Sequence, residues 1–146
     1  MILCNYQKDE TQDIDMLRPS NDQLLQRLSK KMAKQTVGLR ENWLNSDSAV
    51  FLTGSFPSGW EKRVVECFRG THLVVKSVGP EDMLYSKICA HIDREEDEED
   101  IKELTQSKEL FLKVSGEVLK MRQYRNDLSK VLVEELKIRL GFNDED

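Results

Sequence analysis

No glycine occurs in the first 37 residues of this chain, and Gly38 is the earliest of only seven. That absence excludes from the opening quarter any glycine-rich turn whose backbone amides could cradle a phosphate at a helix start. Cysteine is equally sparse. Cys4, Cys67 and Cys89 are odd in number, widely spaced and contain no Cys-x-x-Cys pair, which argues against a disulfide framework and a zinc site and leaves buried, reduced thiols as the expectation. An excess of positive charge is missing too. With 22 Lys and Arg against 27 Asp and Glu, the formal net charge of −5 provides no global cationic field toward nucleic acid or an anionic membrane. No apolar run is long enough to span a bilayer, and Met1-Ile2-Leu3-Cys4-Asn5-Tyr6 lacks the basic flank and long apolar stretch of a signal peptide. A cytoplasmic protein with no membrane partner is expected. Only two histidines are present, His72 and His91, neither with a partner at a diagnostic spacing, and no serine or cysteine nucleophile with its own base stands out.

What is present suffices for one core of ordinary size, since 146 residues with 38% hydrophobic content leave little room for a second independent domain. Residues 1–6 form a short apolar segment that fits strand or helix. After a polar stretch, Asp13-Ile14-Asp15-Met16-Leu17 alternates acidic and apolar residues, a strand signal. Ser20-Asn21-Asp22-Gln23 has the form of a capping box, so a helix over 21–36 is expected with Ser20 as its cap. Leu24, Leu28 and Met32, widened by Leu25, predict one face buried against a sheet, and Gly38 is a natural stop. Residues 39–59 are irregular: Trp43-Leu44 and Val50-Phe51-Leu52 are apolar islands that fit short strands or a loop.

Two segments rich in β-branched residues, 63–68 and 72–78, flank Arg69-Gly70-Thr71 and predict a hairpin in which His72 begins the second strand. Gly79-Pro80-Glu81-Asp82 places proline and acids where a helix starts, with Met83, Leu84, Ile88 and Ile92 as its apolar stripe. The run Asp93-Arg94-Glu95-Glu96-Asp97-Glu98-Glu99-Asp100 has the composition of a solvated acidic segment, but its continuation into Ile101 and Leu104 favours another helix. That run is expected to tether a helix pair by ion pairs. Helical spacing dominates 109–140, with Val118, Met121, Leu128, Val131, Leu132, Leu136 and Leu140 near one stripe and Gly116 as the candidate break. Residues 143–146 should fray.

Asp13 and Asp15 lie two apart on the predicted first strand, so their side chains leave the same face while Ile14 points the other way. Paired carboxylates on a rigid strand suit hard divalent cations such as magnesium, which keep coordination positions for water and phosphate. Alone, the same spacing also fits the exposed face of an edge strand. The surrounding order is more specific. Thr11-Gln12-Asp13-Ile14-Asp15, a capped helix, Trp43-Leu44-Asn45, Gly59-Trp60-Glu61-Lys62-Arg63, a hairpin, then Pro80-Glu81-Asp82-Met83-Leu84 leading to Lys87, Ala90, Arg94 and Asp100-Ile101-Lys102-Glu103-Leu104 resembles a poorly characterised branch of the nucleotidyltransferase superfamily. That branch is related to the abortive-infection toxin nucleotidyltransferases, and the resemblance covers roughly residues 1–105.

The resemblance implies an α+β fold with a nucleotidyltransferase-like mixed sheet flanked by helices, a core over 1–106 and a C-terminal helical extension over 107–146. It implies that Asp13 and Asp15 bind Mg2+ and that a nucleoside triphosphate donates a nucleotidyl group to an unknown acceptor, with a partner protein if the chain is half of a toxin and antitoxin pair. Lys87 becomes a candidate for contacting phosphate or supporting the site, though it also fits a lysine lying along an amphipathic helix. Arg63 and Arg94 are candidates on the same logic. The superfamily places a Gly-Gly or Gly-Ser turn before the carboxylate pair and a third carboxylate on a neighbouring strand. Here the turn is absent and residues 1–6 would align with the helix after it, so either the true start lies upstream or the phosphate cradle has been lost. Thr53-Gly54-Ser55 follows the aspartates and is read as a decoy. Lys76 occupies the strand where a third acid is expected, which leaves Glu66, the only acidic residue inside the predicted hairpin, as the remaining metal candidate. A catalytically inactive binding or regulatory module, and a helical interaction protein built on 109–140, are the alternatives.

Overall fold

The protein is known here from a computed structural model that describes residues 14–17, 19–46 and 56–142. Residues 1–6, Asp13, the island Val50-Phe51-Leu52, the Thr53-Gly54-Ser55 turn and the terminal residues 143–146 lie outside the described residues. The chain divides into two compact units, Met1–Ser55 and Phe56–Asp146. Together they carry helices and short sheets, an α+β fold as expected.

In the first unit, β1 (Ile14–Asp15) pairs in parallel with β2 (Leu44–Asn45), Ile14 opposite Leu44 and Asp15 opposite Asn45. The Ile14 amide donates to the Trp43 carbonyl at 2.6 Å and the Met16 amide to the Asn45 carbonyl at 2.7 Å. A parallel pair needs a crossover, and α1 (Asp22–Ala33) supplies it. The α1 cap is Asn21, whose side chain accepts from the Leu24 amide at 3.0 Å. The expected Ser20 cap is therefore one residue early, because both residues are good caps and the register is set by where the chain leaves β1. The expected buried stripe is also corrected. Leu24, Leu28 and Met32 are 38%, 45% and 49% exposed, whereas Ser29 is buried. The inward face follows Ser29, whose carbonyl accepts from the Trp43 indole at 3.3 Å. A two-residue strand pair offers too little surface to cover the leucine stripe.

The second unit opens with a short 3-10 turn, Trp60–Lys62, whose buried Trp60 ring lies 5.1 Å from Phe56. β3 (Val65–Arg69) and β4 (Val74–Ser77) then form the antiparallel hairpin. The register slips between Glu66 and Phe68, so Cys67 is the extra residue of a bulge. The turn is longer than expected, with the Gly70 amide donating to the Leu73 carbonyl at 2.8 Å. His72 consequently sits in the turn and does not begin the strand. Cys89 is a buried free thiol as expected, but Cys67 departs from that expectation: it lies on the exposed β3 strand and is disulfide-bonded.

Four helices complete this unit: α2 (Pro80–Arg94), α3 (Glu98–Leu104), α4 (Lys108–Val118) and α5 (Asp127–Arg139). Pro80 occupies the first turn of α2, where its missing amide costs nothing, and Glu81 and Asp82 complement the helix dipole there. Ser107 caps α4 by accepting from the Leu110 amide, and Asn126 caps α5 by accepting from Ser129. Gly116 does not divide the C-terminal helices. It lies inside α4, and the break falls at residues 119–126, around a second 3-10 turn, Arg122–Tyr124. Helix α2 packs against α3, α4 and α5. Leu84, Ile88, Ile101, Leu104, Phe111, Val118 and Leu136 are fully buried, one continuous core drawn from all four helices. The predicted C-terminal stripe splits accordingly: Leu132 and Leu136 face inward, while Leu128 and Val131 are 68% and 51% exposed.

Candidate functional site

Of the carboxylate pair, Asp15 lies on β1, where parallel pairing with β2 fixes its backbone. The Asp15 side chain is exposed, and its partner Asp13 lies outside the described residues. Carboxylate oxygens are the donors a magnesium ion takes, so the chemistry of the pair fits the metal. Among the described residues no group of three or more His, Cys, Asp or Glu side chains is arranged to hold one.

Glu66 lies on β3 opposite Lys76. Its carboxylate is engaged along its own strand: Arg69 Nε donates to one oxygen at 2.7 Å and Nη2 donates to the other. The pairing holds the Arg69 guanidinium above its ordinary range. A metal at Glu66 would have to displace that fork.

Arg63 is similarly committed. Its Nε and Nη2 donate to the two oxygens of Asp82 at 3.0 and 2.5 Å, and its Nη1 donates to the Ser58 carbonyl at 3.4 Å. Asp82, in the first turn of α2, is fully buried, while the Arg63 side chain is 39% exposed. The Asp82 hydrogen bonds, opposed by burial, raise the Arg63 guanidinium further above its already high range. Gly79 makes the arrangement sterically feasible. A Cβ there would come within 2.8 Å of the Arg63 carbonyl and 3.5 Å of an Asp82 oxygen, so only glycine lets the chain enter α2 this close to Arg63, just ahead of the hairpin.

Lys87, one turn past the middle of the first half of α2, reaches across to α3. Its Nζ lies 2.6 Å from both Asp97 Oδ1 and Asp100 Oδ2, and the three side chains are 19%, 18% and 4% exposed. Arg94 adds a contact of 3.2 Å to Asp97, and Arg139 of α5 reaches Glu98 at 3.0 Å. The acidic run thus becomes the end of α2, a turn and the start of α3, joined by the expected ion pairs. Sequence reading missed Asp82 and Asp97 as partners. The only signal for Asp82 was its place in a helix first turn, which explains an acid there but not its arginine.

Tyr85, Cys89 and Tyr124 are buried, and the exposed Asp93 borders them. Tyr124 donates to Asp93 at 2.8 Å. Burial pushes the Cys89 thiol up to about 12, against a smaller lowering by Tyr124. Burial likewise raises Tyr85 to about 12, and burial together with the Asp93 hydrogen bond raises Tyr124. A buried thiol raised in this way stays protonated at neutral pH, which makes it a poor nucleophile.

With this geometry in view, comparison with known proteins is informative on one point. A family model described as "Nucleotidyltransferase of unknown function (DUF6036)" matches residues 1–141. The chain belongs to this family. No curated protein and no solved structure matches it. Family membership supports a general nucleotidyltransferase assignment. No helix among the described residues is long and apolar enough to cross a membrane.

Proposed function

We propose that this family member is a magnesium-dependent nucleotidyltransferase in which Asp13 and Asp15 are the catalytic carboxylates. The donor is a nucleoside triphosphate and the acceptor is a nucleic acid, a protein or a small molecule, in one half of a toxin and antitoxin pair. An acceptor oxygen attacks the α-phosphorus, the bond to the β-phosphate breaks, and pyrophosphate leaves. Magnesium, when bound, supplies neutralisation of the triphosphate charge. The chain's own part is to supply the two carboxylates, with the backbone of Asp15 held by the pairing of β1 with β2. Glu66, the remaining acid candidate of the sequence, is held by Arg69. Arg63 and Lys87 act as supports of α2, because a phosphate would first have to displace Asp82 from one and Asp97 and Asp100 from the other.

The observation that carries this reading is the family match over residues 1–141, which includes the acid pair. Pyrophosphate release tests it without knowledge of the acceptor. Each nucleoside triphosphate is incubated with magnesium, the protein and cell extract as acceptor source. Release above the level of an Asp13→Ala/Asp15→Ala variant supports the enzyme.

A second reading, an inactive nucleotidyltransferase-fold module that binds or regulates, is favoured by the Arg69 fork on Glu66. Equal release from wild type and variant with all four nucleotides would select it. An in-frame Gly-Gly-Ser or Gly-Gly-Thr segment in the coding region upstream of Met1 would count toward the enzyme.

A further inference from the structure

The first unit holds a group of cations with no carboxylates set against them. Arg27, Lys30 and Lys31 lie on α1 and Lys34 is its C-cap, and among the described residues none of the four makes an ion pair. Their helix has one acid, Asp22 in its first turn, which accepts from the Ser46 hydroxyl at 3.1 Å. In the second unit, by contrast, Arg63, Lys87 and Arg139 each reach a carboxylate. The helix dipole favours cations in a last turn, which covers Lys30 and Lys31 but neither Arg27 in mid-helix nor the apolar stripe beside it.

That stripe is a single ridge. Leu24, Leu28 and Met32 follow one another at i, i+4 and i+8, and all three are exposed. Arg27 and Lys31, three residues beyond Leu24 and Leu28, stand next to it on the helix surface. On its other side the face turns inward through half-buried Leu25 and buried Ser29. An i, i+4 ridge is the shape that packs into the groove of a second helix, and the adjoining cations call for that helix to be acidic. A membrane fits less well, because the ridge is narrow and carries no aromatic residue. The net charge of −5 also opposes an extended anionic surface, whereas a helix-sized ligand meets only the cations within a Debye length of about 8 Å.

We propose that the outer face of α1 docks an acidic amphipathic helix of a partner protein. Apolar side chains of that helix cover Leu24, Leu28 and Met32, and its carboxylates pair with Arg27 and Lys31. Burial of the ridge supplies affinity, while the cations speed encounter and select acidic over basic partners. The contact does not depend on the nucleotide chemistry above, in which none of these residues has a part.

Fluorescence anisotropy of a labelled synthetic peptide, titrated with the full chain, tests this. The probe is about 20 residues long, enough to be helical alone, with leucines at i, i+4 and i+8 and glutamates on both flanks. Saturable binding that weakens as sodium chloride is raised is expected. Leu28→Ala should weaken it about ten-fold, and Arg27→Glu/Lys31→Glu by about ten-fold or more, while the same peptide with lysine in place of glutamate should not bind. Failure of the acidic peptide to bind, equal binding of the lysine peptide, or binding unchanged by both variants would overturn the proposal. So would tighter binding of phosphatidylserine vesicles or of an oligonucleotide than of the peptide, or a chain that self-associates in sedimentation until Leu28→Ala makes it monomeric.

Discussion

The two units differ in where they keep their apolar surface. In the first, the stripe of α1 stays exposed, with Leu24, Leu28 and Met32 between 38% and 49% accessible. In the second, α2 to α5 converge on side chains that water does not reach, and ion pairs stitch α2 to α3, α4 and the residue preceding the hairpin. Among the described residues the first unit is thus the less buried, whereas several cations of the second are engaged with its own carboxylates. On the proposed function, the separation is one between an acid pair in the first unit and a packed helical core in the second.

The widest contrast between the units lies in truncating one buried and one exposed apolar residue. Ile88→Ala should lower the unfolding free energy by about 2–5 kcal/mol, whereas Leu28→Ala, already 45% exposed, should cost under about 1 kcal/mol. Urea denaturation monitored by helical ellipticity distinguishes them, and equal losses would erase the contrast. Comparable in size is the ion pair at the start of α2. Arg63→Met leaves the fully buried Asp82 carboxylate without its fork and should cost about 3–5 kcal/mol. Gly79→Ala should cost about 1–3 kcal/mol through the 2.8 Å approach to the Arg63 carbonyl.

Alkaline titration gives a smaller and more diffuse effect, confined to the second unit. Cys89 and Tyr85 are raised to about 12 from ordinary values of 9.0 and 10.0, chiefly by burial, and Tyr124 is raised as well. The folded state then holds protons that the unfolded state has released. Stability from these groups is complete below about pH 9 and falls as pH rises from 9 toward 12. Denaturation midpoints measured across that range should decline, and Cys89→Ser should flatten the lower part of the decline.

Much of the second unit was legible in the sequence because its signals are local. Pro80 and the acids after it mark a helix start whatever surrounds them, and the β-branched runs on either side of Gly70 pair with their nearest neighbour. The cap of α1 was missed by one residue because Ser20 and Asn21 are equally able caps. The stripe of α1 was misjudged because periodicity reports which face is apolar and not whether anything covers it. For the candidate site, the residue types and order of segments were readable. The Arg63–Asp82 and Lys87–Asp97–Asp100 contacts were not. They join residues 10 to 19 positions apart across a turn of the fold, and no spacing rule selects them from a chain that is 34% charged.

The most direct test of this separation is isothermal titration of the wild type and the Asp13→Ala/Asp15→Ala variant with a nucleoside triphosphate, with and without magnesium, after confirming equal urea midpoints. Saturable, magnesium-dependent binding that the double substitution abolishes is the predicted result. Binding of unchanged affinity in the variant would contradict it.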